Sequence, residues 1–515
     1  MSDSSDLSGT SMDEAAPSLE GNLAPRSSIG FWRSRVAQLR QFVVAHVWAV
    51  SSLVGLVCLL YWPTLKYEFL NWDDLSYIVE NDLIKSWHPL NLWRVMTEPV
   101  TRNFAPLTIA TFLTEHTLWG LNAGGYHATN VLLHALNAVL VFAFIKQWTR
   151  NSWTAWIVAA LFAVHPMQIE SVAWVSSRKT LLSSACMLAC GMCYLRPQRT
   201  VRNEAWGLLW LLLGLLCKAS TVVVPPIVVA YDLLVARKKF SEAVPSQVIP
   251  CFLCVMLTLI TMSAQNTVMG GVRTHMEMNK LEIVAIDATL MVRYLSMLAV
   301  PEKLCVLYDP PTQGIAVQIA LSLLAWGGLT GFLWVRRDQY PQLAFGLATW
   351  YWLLFPVLNF FPITTLMNDR YMYLPCIVVF LVVVEAVRLL GVWVCARWGD
   401  RESTRSIFAS LNAVLFVALI GAYAIASHRY LPVWRNPMTL WGHARQVTPT
   451  LAVVHIQWAT TLQAHGDIPG ALSSLQFAID HCHPDPGDVK LIQEMQAEWS
   501  EVHTPDETPS FPGRS

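Results

Sequence analysis

Apolar residues in this chain gather into long runs broken by short polar stretches. A helix that crosses the hydrocarbon core of a bilayer needs about 20 of them in succession. Measured against that length, the pattern predicts spans near 41–62, 126–148, 152–170, 180–195, 204–219, 221–236, 247–264, 313–334, 341–361, 370–395 and 407–427, eleven in all. Runs at 104–119 and 283–300 are interrupted by Glu115 and His116 and by Asp287 and Arg293, so they predict interfacial or partly re-entrant helices. Two long loops, 63–125 and 265–312, remain on one side, with short ones near 165–179 and 362–369.

Orientation follows from Lys and Arg in short loops, which stay on the cytoplasmic face. Arg33, Arg35 and Arg40 precede the first span, and Lys146 and Arg150 follow the second. Arg196, Arg199 and Arg202 follow the fourth, Arg237, Lys238 and Lys239 the sixth, Arg336 and Arg337 the eighth, and Arg397, Arg401 and Arg405 the tenth. With eleven crossings all of these share one face. The N-terminus is then cytoplasmic, and the C-terminal module lies on the non-cytoplasmic (periplasmic or luminal) side. Chemistry is expected in the outer loops, because loops mounted on a rigid scaffold carry function.

The ends of the chain read differently. Residues 1–40 form a polar, acidic tail with a basic flank, expected to be disordered and cytoplasmic, and 503–515 form a second disordered tail. The first apolar run is too long for a cleaved signal peptide and is expected to stay as a span. The transmembrane domain covers 41–430, and a polar module with apolar residues at helical spacing covers 431–502. Within it Trp458, Ala459, Leu462, Gly466, Asp467, Ala471, Leu475 and Ala478 fall at tetratricopeptide positions, with the final Pro displaced to Pro484. A single such hairpin cannot bury its own face. It is expected to pack on flanking helices at 434–446 and 487–502, as a structural cap or a partner-binding module. The fold class is all-α, a polytopic membrane helix bundle with a short C-terminal tetratricopeptide-like helical module.

Composition supports the membrane reading. Charged residues are 14% of the chain, against roughly 25% in a soluble domain, and mean hydropathy is +0.42. Trp, at 23 residues, suits the headgroup level, where an apolar ring and a polar N–H both find partners. A net charge of zero offers no basic face, which excludes nucleic acid as a partner. Most cysteines sit in apolar runs, Cys190-x-x-Cys193 and Cys251-x-x-Cys254 included, and read as polarizable membrane side chains rather than a redox pair, zinc site or disulfide framework.

Three constellations could carry chemistry. Asn71-Trp72-Asp73-Asp74 follows the first span. Two adjacent carboxylates repel, so one pKa should rise, which suits a general base, and together they could hold a divalent cation. A solvated turn with Trp72 as an interface anchor is the plainer alternative. His165-Pro166-Met167-Gln168-Ile169-Glu170 followed by Ser176-Ser177-Arg178-Lys179 sets imidazole, carboxylate and two cations in one outer loop. Outer cations run against the charge bias; an anionic headgroup or phosphate would explain them, and so would snorkelling. Asn368-Asp369-Arg370-Tyr371 precedes the tenth span, with Asp369 and Arg370 either neutralising each other or leaving Arg370 to read a phosphate. His127, Asn130, His134 and Asn137 share one helical face and suit inter-helix hydrogen bonds better than a metal. Asp232 reads as a local helix-end charge, and His481 and His483 as solvated. The chain has no Walker loop, dinucleotide fingerprint or HExxH.

These residues, taken with Pro106-Leu107-Thr108, Leu118-Trp119-Gly120-Leu121-Asn122, the run Gly125 to Asn137, Glu170-Ser171-Val172-Ala173-Trp174-Val175 and Asp369-Arg370-Tyr371-Met372-Tyr373-Leu374-Pro375, resemble the transmembrane and tetratricopeptide-repeat protein family. The order matches over about 60–480, with the repeats last. The resemblance implies a GT-C-type membrane glycosyltransferase fold akin to protein O-mannosyltransferases. It implies transfer of a sugar, mannose being a candidate, from a polyprenyl-phosphate donor to a protein or glycan hydroxyl on the non-cytoplasmic face. Asp73 and Asp74 map onto the family's catalytic acidic pair, with Asp73 as base and Asp74 orienting the acceptor or holding a cation. Arg178, Lys179 and Arg370 would stabilise the leaving phosphate, and His165, Glu170 and Asp369 would complete the headgroup site. Two departures stand out: Ala105 where many relatives carry a polar residue, and a much shorter repeat array. A non-catalytic scaffold, and a polysaccharide ligase or lipid-linked sugar transporter, are the rival readings. A transporter would need broken helices and charges at the midplane.

Overall fold

A computed structural model describes residues 41–101, 103–269, 279–359, 365–398, 402–482 and 484–502. The described residues from Ser51 onward cluster as a compact unit. They are helical throughout, and their sole β feature is an isolated bridge between Val100 and Asn103. The tails expected at 1–40 and 503–515 lie outside the described residues, as do 270–278 of the 265–312 loop and 362–364 of the 362–369 loop.

Among the described residues six helices are long and apolar enough to cross a membrane: Val47–Lys66, Ala123–Thr149, Phe240–Ser263, Ala316–Val335, Pro375–Arg397 and Arg405–Trp434. Each overlaps one of the eleven runs read from the sequence, with ends that differ by up to seven residues. A further pair, Ser152–Val164 and Pro166–Ala173, passes the same test jointly but is bent by 60°. The reason is local. His165 is extended at φ −68°, ψ 134°, and Pro166 has no N–H to continue the helix, so the run at 152–170 is broken in its last third. Arg178–Tyr194 and Val201–Cys217, 17 residues each, and Pro341–Leu354, 14 residues, are shorter than a span. At 1.5 Å per residue, 17 residues reach about 26 Å against a core of about 30 Å.

Polar residues inside the bundle tie these helices together. His134 meets Tyr373 Oη at 2.8 Å and the Ala163 carbonyl at 3.1 Å, and Asn137 donates to Leu181 O and Tyr373 Oη, both at 3.0 Å. Asn130 donates to the carbonyls of Val172 and Trp174. One face of Ala123–Thr149 thus grips the broken segment and the helix after it, as expected for inter-helix hydrogen bonds. Among the described residues no cluster of His, Cys, Asp and Glu is arranged to hold a metal. At the opposite end of the bundle, buried Asp232 binds Arg199 and Lys238, and Arg237 binds Asp338, which gathers three turns rich in basic residues.

After Trp434 come four helices: Pro437–Val447, Ala452–Ala464, Ile468–His481 and Pro486–Val502. The middle two form a hairpin. Gly466 turns it at φ +83°, and Asp467 caps the second helix by accepting from Gly470 N at 2.9 Å. Ala459, Ala471, Leu475 and Ala478 are fully buried between them, and Ile492 and Trp499 of the last helix close that core. Trp458 packs on Gly442 of the first helix.

Candidate functional site

The loop that follows Lys66 is held in place by Asp74. Its Oδ2 accepts from Leu70 N at 3.0 Å, and its Oδ1 from Ser176 N at 2.9 Å and from the Ser176 hydroxyl. The side chain is fully buried. Burial raises its pKa to about 6; the three hydrogen bonds hold it back from going higher, and the charge of Asp73 pushes it up. Asp74 is therefore a pin between two loops. Three of its four lone-pair positions are taken and the side chain is closed off from solvent, so the geometry does not present Asp74 to an acceptor or to a cation shared with Asp73.

Asp73 is the reachable member, with a side chain 31% exposed. Lys179 Nζ approaches its Oδ2 at 3.5 Å and sits over the Tyr77 ring at 4.7 Å from the centroid. Lys179 begins the helix Arg178–Tyr194 together with Arg178, but successive residues point about 100° apart. Arg178 turns inward. It is fully buried, pairs with Glu115 at 2.8 Å, donates to Tyr126 O at 2.9 Å and to Asn130 Oδ1, and stacks over Phe112. Arg178 is thus an internal tie, not a phosphate contact, and it accounts for Glu115 in the 104–119 run.

Glu170 is also buried, and it anchors Arg370 by accepting from its backbone N at 2.7 Å and from its guanidinium. Arg370 lies between the rings of Trp174 and Tyr371, 5.2 and 5.4 Å from their centroids. Asp369 faces away. It accepts from Tyr308 Oη, and burial, then the charge of Glu170, drive its carboxyl well above the usual range. Asp369 and Arg370 do not neutralise each other; Arg370 pairs across the chain with Glu170. His165 lies apart from the cluster, fully buried, its Nε2 on Leu298 O at 3.0 Å and its Nδ1 accepting from Met167 N. It caps the broken helix and touches no headgroup site.

One cation escaped the sequence reading. Lys218 follows Val201–Cys217, in the turn before the next helix, and donates to Thr180 Oγ1 at 3.0 Å. It lies within electrostatic reach of Arg370, Lys179 and Glu170, while Arg370 and Lys179 in turn feel Asp73. Its signal in the sequence is a lone lysine between two apolar runs, which the expected span at 204–219 takes in. Thr108, in the Pro106-Leu107-Thr108 motif, holds the preceding carbonyl of Cys217 at 3.2 Å. Ala105 is buried and supplies no cap. The site thus gathers Asp73, Lys179, Lys218, Arg370 and Glu170: three basic residues against two carboxylates, with burial and then the charges of Arg370 and Lys179 bringing Lys218 down to about 7.

No protein-family model matches the chain. It is 30% identical over 201 residues to human protein O-mannosyl-transferase TMTC3, 33% over 156 residues to human TMTC1 and 28% over 248 residues to mouse TMTC2. These matches cover 36%, 28% and 45% of the chain but 22%, 17% and 29% of the relatives, so the chain matches less than a third of their length. Among solved structures it is similar to ArnT from Cupriavidus metallidurans bound to undecaprenyl phosphate, at 14% identity and TM-score 0.40, covering 90% of this chain and 81% of that one. It is also similar to the Archaeoglobus fulgidus oligosaccharyltransferase, at 12% identity and TM-score 0.42, covering 76% and 56%. The chain's homologues are the protein O-mannosyl-transferases TMTC1, TMTC2 and TMTC3, the transmembrane and tetratricopeptide-repeat proteins that its motifs resemble.

Proposed function

We propose that the protein is a membrane glycosyltransferase of GT-C type that moves a sugar from a polyprenyl-phosphate donor to a protein or glycan hydroxyl on the non-cytoplasmic side. The observation that carries this reading is the reachable carboxylate of the cluster, Asp73, facing Lys179 and Arg370, with Lys218 gathered beside those two, at the end of an apolar bundle. The relatives' printed activity, O-mannosyl transfer, supports mannose as the sugar. Asp73 takes the proton of the acceptor hydroxyl as its oxygen bonds to the anomeric carbon. The bond from that carbon to the phosphate oxygen breaks, and the phosphate leaves with the electron pair. Lys179 and Lys218 stabilise the charge growing on that oxygen, and Arg370, fixed by Glu170 and two rings, adds a preorganised positive field. Fixed charges act strongly here because water is largely excluded.

The side of the membrane is inferred from charge. The turns that carry Arg199, Asp232, Arg237, Lys238 and Asp338 meet at the end opposite the site, which supports their being cytoplasmic. Eleven crossings, with the shorter helices counted, keep the basic turns together. The test is transfer by purified protein in lipid vesicles, with polyprenyl-phosphate-mannose as donor and a serine- or threonine-rich peptide as acceptor. Mannosylated peptide that depends on Asp73 is the expected result; donor left intact by well-folded protein would overturn the reading.

A further inference from the structure

The Asp73 loop is held from two sides, and only one of them belongs to the membrane bundle. Asp74 pins it to Ser176. On the other side, two residues before Asp73, the carboxamide of Asn71 reaches the C-terminal helices. Trp441 Nε1 donates to Asn71 Oδ1 at 2.7 Å, and Asn71 Nδ2 donates to Thr461 Oγ1 at 3.0 Å. Both ends of one amide are therefore satisfied by two different helices of the module, some 370 and 390 positions away. Trp441 is fully buried, and its ring meets Trp72 edge-on at 5.3 Å. Glu68 N adds a bond to Arg435 O at 3.0 Å. The Thr461 hydroxyl donates its own proton to Gln457 O at 2.7 Å, which leaves its lone pairs for Asn71. Direction as well as distance is thus specified.

We propose that Asn71 is a positioning residue through which the C-terminal helical module sets the place of Asp73 against Lys179, Lys218 and Arg370. The inference rests on Asp73 being the base, and goes beyond it by giving the module a task in turnover. A docking arm for acceptors would not need to spend a buried Trp and a directed hydroxyl on the catalytic loop. Deleting the module also exposes this contact, so a truncation mixes loss of acceptor recognition with displacement of Asp73. Point substitutions separate them.

Thr461→Val keeps the shape and removes the acceptor, Thr461→Ser keeps the acceptor, and Trp441→Phe keeps a ring against Trp72 and removes the N–H. Turnover and the KM for polyprenyl-phosphate-mannose are measured on each, with hydrogen exchange of the backbone amides at 68–74. Misplacement of a reacting group by about 1 Å costs about 100-fold in rate. Thr461→Val and Trp441→Phe are expected to lower kcat by about 10- to 100-fold with donor KM within about threefold, and to speed exchange in the loop. Thr461→Ser is expected to restore both. Thr461→Val with normal kcat and normal exchange would overturn the proposal, as would Thr461→Ser as impaired as Thr461→Val, which would mark packing rather than a directed bond. If the unsubstituted protein transfers no sugar, the glycosyltransferase reading fails, and exchange alone decides the clasp: faster in Thr461→Val than in Thr461→Ser supports it, and equal rates refute it.

Discussion

Neighbouring residues in this chain do opposite work. Arg178 and Lys179 are adjacent and like-charged, yet one is an internal tie and the other faces Asp73. Asp73 and Asp74 divide in the same way. For Arg178 the consequence is a stability defect. Truncating one partner of a buried ion pair strands the other, at about 3–5 kcal/mol. Arg178→Ala is expected to lower the melting temperature and folded yield, with donor affinity in the surviving folded fraction near normal; donor affinity lost at full stability would return it to the phosphate site. For Asp74 the consequence is a pH window. Its carboxyl is raised from 3.8 to about 6, chiefly by burial, so its neutral form is favoured on folding. That contribution is complete below about pH 4 and is lost as pH rises to about 6, by about 3 kcal/mol. Thermal melts of the purified protein should show stability falling from pH 4 to 6, and Asp74→Asn, which cannot ionise, should fall less steeply by Asp74's share, with buried Asp369 keeping its own. An unchanged slope in the variant would assign it to another group.

At the scale of elements, the lesson is what a local pattern encodes. The acidic pair, the His165-to-Lys179 loop and Arg370 were legible as charged groups beside apolar runs; Asp73, Lys179, Glu170 and Arg370 come together, while His165 lies apart and Asp74 and Arg178 are tied inside. Their roles were not legible, because each is decided by a residue far along the chain: Ser176 occupies Asp74, Glu115 occupies Arg178, Glu170 occupies Arg370 and Tyr308 occupies Asp369. Apolar runs located the helices well, yet periodicity carried no sign that Pro166 bends one of them by 60°. Nor did it reveal Lys218, whose meaning depends on two other segments arriving beside it. The pair Lys179 and Lys218 gives a direct check. A charge-assisted contact to phosphate contributes about 1.5–3 kcal/mol, roughly ten- to hundredfold in affinity. Lys179→Gln and Lys218→Gln should each weaken binding of the polyprenyl-phosphate donor by that order, measured by titration in detergent, with acceptor KM little changed. Two folded variants with normal donor affinity would remove both lysines from the site.

On the scale of the whole molecule, every loop of the site emerges at one end of the bundle, and the C-terminal helices cover the same end through Asn71, Trp441 and Thr461. Basic turns joined through buried Asp232 close the opposite end. The sidedness this implies is open to reporter fusions: one joined after Pro432 should report a non-cytoplasmic place and one after Arg337 a cytoplasmic one, and the reverse pattern would invert the map. A transporter needs two broken helices meeting at the midplane, and among the described residues one bent pair meets the criterion for a span. The central claim is that Asp73 is the base of a sugar transfer. An acceptor hydroxyl keeps its proton near neutral pH, and a positioned carboxylate that removes it supplies about 10²- to 10⁴-fold. Asn has nearly the same shape and cannot take the proton. The most direct measurement is therefore mannose transfer from polyprenyl phosphate to a peptide hydroxyl by purified protein and its Asp73→Asn variant, with donor binding measured in parallel. Turnover should fall by about 10²- to 10⁴-fold with donor affinity retained; near-normal turnover in the variant would contradict the assignment.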